Sequence, residues 1–171
     1  MKKINKSKYM NKLPRAIAWL AGEAVCMILV CMLIFGQFAS GRASKTSFED
    51  MKAAVTGAVT LTDTLEGNDQ MIRRLYGLNP GDYEGIYLAY PKTNMGADEL
   101  LLVKMKDSSQ RRQVEDAIRQ RNAVQKKNFD GYGTNQYSLL TSAVTELRGN
   151  YALYLVAEDT APGKKAFDGK Y

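Results

Sequence analysis

The 171 residues include no histidine and only two cysteines, Cys26 and Cys31. Without histidine the chain lacks the side chain best suited to proton transfer near neutral pH and the commonest metal ligand. Both cysteines fall inside one apolar stretch, 16–39, so the remainder has no thiol nucleophile, no disulfide and no cysteine zinc cluster of its own. Acyl transfer by a Ser–His or Cys–His pair is thereby excluded from residues 40–171. The Gly-x-Ser-x-Gly elbow, the P-loop and the dinucleotide fingerprint are missing as well, since GDYEG and DGYG have too few suitably placed glycines and no lysine. No Asp-x-Asp-x-Asp-Gly calcium loop occurs. No catalytic residue, cofactor or metal is therefore expected.

Acidic residues are the next shortage, and it is local. Residues 1–15 contain six cations (Lys2, Lys3, Lys6, Lys8, Lys12, Arg15) and no acid, whereas 40–171 holds 18 Lys plus Arg against 17 Asp plus Glu. The sequence pI near 9.2 thus belongs to the tail. A nucleic-acid binder would carry its cations on the folded part, where they can track phosphates, so nucleic acid is not an expected partner.

The basic tail abuts AIAWLAGEAVCMILVCMLIFGQFA (16–39), 24 residues with one charge, Glu23, and no proline. At about 1.5 Å per residue such a helix reaches about 36 Å, enough to cross a hydrocarbon core of about 30 Å. Six preceding cations against Arg42 and Lys45 beyond favour the N-terminus inside. The expected organisation is a basic cytoplasmic tail (1–15), a transmembrane helix or uncleaved signal anchor (16–39), a linker (40–46), an extracytoplasmic domain (47–159) and a polar C-terminal tail (160–171). The rival is a signal peptide cut near Gly41, with secretion. A lipid-attached form would need a small residue before the cysteine, and here Val25 and Val30 precede them. Ala18 and Gly22, at small-xxx-small spacing, with Glu23 beside them, are candidate contacts to another helix within the membrane; a shallow Glu23 near the interface is the simpler alternative.

Beyond the linker, Ser47 with Asp50 forms a capping-box pattern ahead of Phe48, Met51, Val55 and Val59 on one helical face. Asn68 caps a second helix carrying Met71, Ile72 and Leu75, stopped by Gly77 and Pro80. The period then changes to two, over 86–90 and over 100–106, where the far end, Lys104 and Lys106, is expected to be wet on one face. Asp107, with Gln110 completing the box, caps a long helix whose stripe is Val114, Ala117, Ile118, Val124 and Phe129. Its cations, Arg121 among them, read as a solvated face. A short helix from Thr134 follows, with Tyr137, Leu140 and Val144 in register, and Gly149-Asn150 marks a hairpin whose second arm, YALYLVA, is the expected central strand. The pattern predicts an α+β domain: an antiparallel sheet of about four strands, packed by helices on one side.

The loop PKTNMGAD (91–98) concentrates candidate contact residues. Pro91 bars continuation of a central strand and Asn94 and Gly96 tolerate positive φ, so the loop reads as a hairpin turn. Met95 is expected to fold over the sheet end and Asp98 or Glu99 to cap a free backbone amide. Adjacent on a strand, Asp98 and Glu99 point to opposite faces and cannot share a substrate, although Asp98 could meet Asp82 or Glu84. A recognition role adds Tyr76 and Tyr90 to Asn94, Met95, Asp98 and Glu99 as candidate interaction residues, tyrosine offering amphipathic contact area.

YGLNP (76–80), the stretch YPKTNMGADELLLVKMKD (90–107) with its MGADE core, QYSLL (136–140) and GNYALYLVAED (149–159) resemble the bacterial family catalogued as domain of unknown function 4358. The resemblance covers roughly 47–159. It implies an envelope protein of Gram-positive bacteria, secreted or tethered, and no assigned activity. Three functions are consistent with this chain: a non-catalytic binding module of the cell envelope, whose partner is an envelope protein or a cell-wall glycan; an accessory subunit of a membrane complex that modifies envelope polysaccharide; and a carboxylate-based hydrolase. The first requires the fewest groups that the sequence lacks.

Overall fold

The computed structural model describes residues 44–171 and, from the preceding stretch, Met27 alone. The basic tail and the predicted span, with Ala18, Gly22 and Glu23, lie otherwise outside the described residues. Among the described residues no helix is long and apolar enough to cross a membrane.

Helix α1 (Phe48–Ala58) starts at half of the expected box: the Ser47 hydroxyl accepts from the Asp50 N–H at 3.1 Å, and the Asp50 carboxylate accepts from that hydroxyl at 2.7 Å instead of from the Ser47 N–H. Asp63, at φ 50°, then turns the chain into β1 (Thr64–Glu66), a strand absent from the sequence expectation. Helix α2 (Asp69–Tyr76) has Asn68 accepting from the Met71 N–H at 3.0 Å at its start and Gly77, at φ 66°, at its stop. Left-handed backbone there lets the Gly77 N–H reach the Arg73 carbonyl at 2.9 Å.

Strands β2 (Gly85–Pro91) and β3 (Glu99–Lys104) form the expected hairpin. A 3-10 turn (Ser108–Gln110), capped by Asp107, leads into α3 (Arg111–Phe129). Gln110 reaches back to the Lys106 N–H at 2.8 Å rather than to that of Asp107, and donates to the Asp82 carbonyl at 2.8 Å. The intervening 3-10 turn shifts the box by one residue. After α4 (Thr134–Thr141), in which Leu140 is buried and Tyr137 exposed, β4 (Val144–Arg148) and β5 (Tyr151–Val156) meet at Gly149, φ 50°. Helix α5 (Ala161–Lys170) ends the chain.

Among the described residues all strand pairs are antiparallel and the order is β1-β2-β3-β5-β4, five strands rather than about four. The middle strand is β3, with β5 beside it, and every residue of both is buried. Neither alternation of side chains on these two strands tolerates water, so each face of the sheet needs its own cover. Helices therefore lie on both faces and not on one. Leu88, Leu101, Val103 and Tyr154 pack under α2, α3 and α4; Leu100, Leu102, Leu153 and Leu155 pack under α1 and α5.

Three expectations give way here. Lys104 is buried rather than wet, its ammonium 2.5 Å from Glu84 and 5.6 Å from the centre of the Tyr151 ring. The stretch 160–171 holds α5 instead of a tail, started by Asp159 accepting from the Ala161 N–H at 3.0 Å and held down by fully buried Phe167. Ser44 and Thr46, read as linker, are tied to the domain: the Ser44 N–H donates to Asn150 at 2.9 Å and the Tyr151 hydroxyl donates to the Thr46 carbonyl at 3.0 Å.

Candidate functional site

The caps of α2 fix its rotation, so Ile72 and Tyr76, four apart, face the sheet while Arg73 and Arg74 face outward. On β3 the alternation puts Glu99 on the same face as Leu101 and Val103, beneath α2 and α3. On α3, Arg121 falls four residues after Ala117 and three after Ile118, within the buried stripe. It is not solvated: its side chain is 10% exposed, and that of Glu99 is 1% exposed.

These three meet. Tyr76 Oη donates to Glu99 Oε1 at 2.5 Å, Arg121 Nε reaches Oε1 at 2.9 Å, and Arg121 Nη2 reaches Oε2 at 2.7 Å. A fork of this kind is the strongest geometry available to a guanidinium and a carboxylate, and it offsets the cost of burying both charges. Burial disfavours the Arg121 charge, but the hydrogen bonds and charge of Glu99 outweigh it and its pKa is raised. Burial, and after it the Glu99 charge, pushes the Tyr76 hydroxyl well above its ordinary value, and the same two causes raise Tyr154. The Tyr154 hydroxyl is buried with no hydrogen-bond partner among the described residues.

Beside the trio, a cleft of about 380 Å³ lies between Arg73, Arg74, Tyr76 and Gly77 of α2 and its cap and Gln120, Arg121 and Val124 of α3. A second depression of about 280 Å³ shares Arg74, Leu75 and Arg121 with it and continues to Tyr90, Lys92 and Asn94 at the β2–β3 loop. Neither is lined by any Asp or Glu.

The structure sorts the sequence candidates accordingly. Tyr76 and Glu99 are joined beside the cleft, and Tyr90 and Asn94 line its continuation. Asp98 does cap a backbone amide, that of Thr62, at 2.8 Å. Met95 does not fold over the sheet end: it is 56% exposed, and its carbonyl accepts from the Gln136 amide at 3.2 Å. Neither Met95 nor Asp98 lines the cleft. Val124 leaves the stripe, 48% exposed on the cleft wall. Arg74, Lys92 and Arg121 were missed as site residues. For Arg121 the signal was a cation at a stripe position of α3, matched by an acid on the buried alternation of β3. Glu84, on Lys104, is likewise engaged, and among the described residues no group of three or more acidic side chains could hold a metal ion.

A model of the family described as Domain of unknown function (DUF4358) matches residues 58–157, more than half of the chain. The chain belongs to this family. No curated protein and no solved structure matches it. The DUF4358 match runs from the end of α1 to the end of β5, so it includes every residue of the cleft and the buried trio; α5 lies beyond it.

Tyrosine protonation provides one test of this DUF4358 core. Because burial raises Tyr76 and Tyr154 above the ordinary 10.0, the native state keeps these phenolic protons where the unfolded chain loses them. Each contributes stability that is fully present below about pH 10 and is lost as pH rises toward the folded value, by up to about 1.4 kcal/mol per pH unit. Alkaline titration should therefore show tyrosinate absorbance from the buried rings arriving together with loss of near-ultraviolet circular dichroism. All ten tyrosines ionising near pH 10 with the fold intact would mean that these hydroxyls are hydrated.

Proposed function

We propose that this chain is a membrane-anchored, non-catalytic binding module of the cell envelope, whose extracytoplasmic domain takes its ligand in the cleft between α2 and α3. The observation that carries this reading is the division of labour at the cleft. Its one buried acid, Glu99, is consumed by Tyr76 and Arg121, which leaves the walls with hydrogen-bond donors and apolar surface but no carboxylate to act as acid or base. Concave sites with few convergent polar groups are the usual form of a binding site. The anchor rests on the basic tail and the 24-residue apolar stretch.

A photo-crosslinking residue in place of Val124, in the full-length chain in intact cells, tests both parts. Crosslinks to an envelope component are expected, and Gln120→Trp, at an exposed wall position, should abolish them by filling the cleft. Crosslinks indifferent to Gln120→Trp would remove the cleft from the function. Protease that spares residues 44–171 in intact cells but digests them after lysis would overturn the topology.

A further inference from the structure

Resting on the reading of the α2–α3 cleft as the ligand site, we propose that the ligand is an anionic glycan whose carboxylate or phosphodiester groups seat on Arg74 and Lys92. Four cations line the two joined depressions, Arg73, Arg74, Lys92 and Arg121. Two are already engaged: Arg121 is spent on Glu99, and Arg73 holds Asn79 Oδ1 at 3.0 Å and lies 3.6 Å from Asp69. Arg74 and Lys92 have no side-chain partner among the described residues, and they stand at the junction and the far end of the same groove. With 18 cations against 17 acids over 40–171, a groove of four cations without an acid is not the background of a basic domain.

The chemistry of the two residues points to oxyanions. Guanidinium presents a planar fork that matches carboxylate or phosphate oxygens, and an ammonium adds a mobile point charge. Asn94 and Gln120 provide neutral hydrogen-bonding groups along the same path, while Tyr90, Leu75 and Val124 offer the apolar surface on which a sugar ring can rest. Two depressions meeting at Arg74 fit an extended chain with repeated charges better than a compact ion. Concavity favours a polymer strand over a bilayer, which would need its cations spread over a protruding face. Arg121 is a positioning residue here, since the fork from its Nε and Nη2 to Glu99 ties α3 to β3.

Binding of fluorescent polygalacturonate (carboxylate) and of polyphosphate (phosphate) to the full chain in neutral detergent micelles tests the proposal, with uncharged dextran and vesicles containing phosphatidylglycerol as the other arms. At least one polyanion should bind, more weakly as salt rises, and dextran should not. Arg74→Ala combined with Lys92→Ala should weaken binding at least tenfold, about 1.4 kcal/mol. Arg112→Ala combined with Lys127→Ala, an equal charge change at exposed positions of α3 outside the cleft, should leave it unchanged. Equal loss in both pairs, binding to vesicles alone, or no polyanion binding would overturn the proposal. If no polyanion binds while the Val124 crosslink still responds to Gln120→Trp, only the ligand chemistry falls; if that response is absent too, the cleft itself is the wrong site.

Discussion

Replacing Arg121 by alanine is expected to destabilise the domain by about 3–5 kcal/mol, because it leaves the Glu99 carboxylate buried without its counter-charge. For a domain of this size that is a fall in Tm on the order of 10–20 °C. Tyr76→Phe removes only one neutral donor to the same carboxylate and should cost less, about 1–2 kcal/mol. The informative variant is the double one. Arg121→Met with Glu99→Leu removes both charges and keeps the volume, and it should recover most of the lost stability, since well-packed apolar residues often match a buried ion pair. Urea unfolding of the full chain in detergent, followed by tyrosine fluorescence, measures all three. An Arg121→Ala cost within about 0.5 kcal/mol, the usual range for a surface site, would return Arg121 to solvent.

That outcome would also restore the face the sequence suggests. Arg121 is one of six cations on α3, and a helix rich in Arg, Lys and Gln reads as solvated wherever its apolar stripe is thin. The misfit shows only when two periods are compared: Arg121 continues the spacing of Ala117 and Ile118, and Glu99 continues that of Leu101 and Val103. A pairing between residues 22 apart, on different elements, is invisible in either pattern alone. By contrast α1, α2, the two hairpins and α4 were legible, because their ends are written in local chemistry: Ser47 and Asn68 as caps, Gly77 and Gly149 at positive φ. Strand β1 was not, since three residues at a sheet edge carry no measurable alternation. The cleft was half legible. Tyr76, Tyr90, Asn94 and Glu99 stand out in the sequence by residue type, but Arg74 and Lys92 become a pair only once α2 and the β2–β3 loop are brought together.

Helix α5 is the largest departure, and ending the chain after Asp159 should do more damage than any single substitution. Its sequence, APGKKAFDGK, has two glycines, three lysines and one large apolar residue, which is why it reads as a tail. Yet Phe167 is fully buried, edge-on to Tyr151 with ring centres 6.4 Å apart at 82°, and Phe167→Ala alone should cost about 3–5 kcal/mol. Gly163 explains how so polar a helix seals an apolar face. A Cβ there would lie 2.7 Å from Leu155 Cδ2 and 3.0 Å from Val59 Cγ1, so glycine allows the helix backbone itself to cover the strand. At the rim Lys164 bonds to Glu146 and Arg148 lies 3.3 Å from Asp168; both pairs are part-exposed and their loss should be felt little. Truncation instead uncovers Tyr151, Leu153 and Leu155, the inner strand of the sheet, on a face where α1 alone remains. The shortened chain should bind a hydrophobic dye in native buffer and lose its cooperative urea transition, whereas Lys164→Ala should keep both as in the parent. A truncated chain with an unaltered transition and an unaltered urea slope would mean that the second core closes without α5, and that the burial of Phe167 contributes nothing to it.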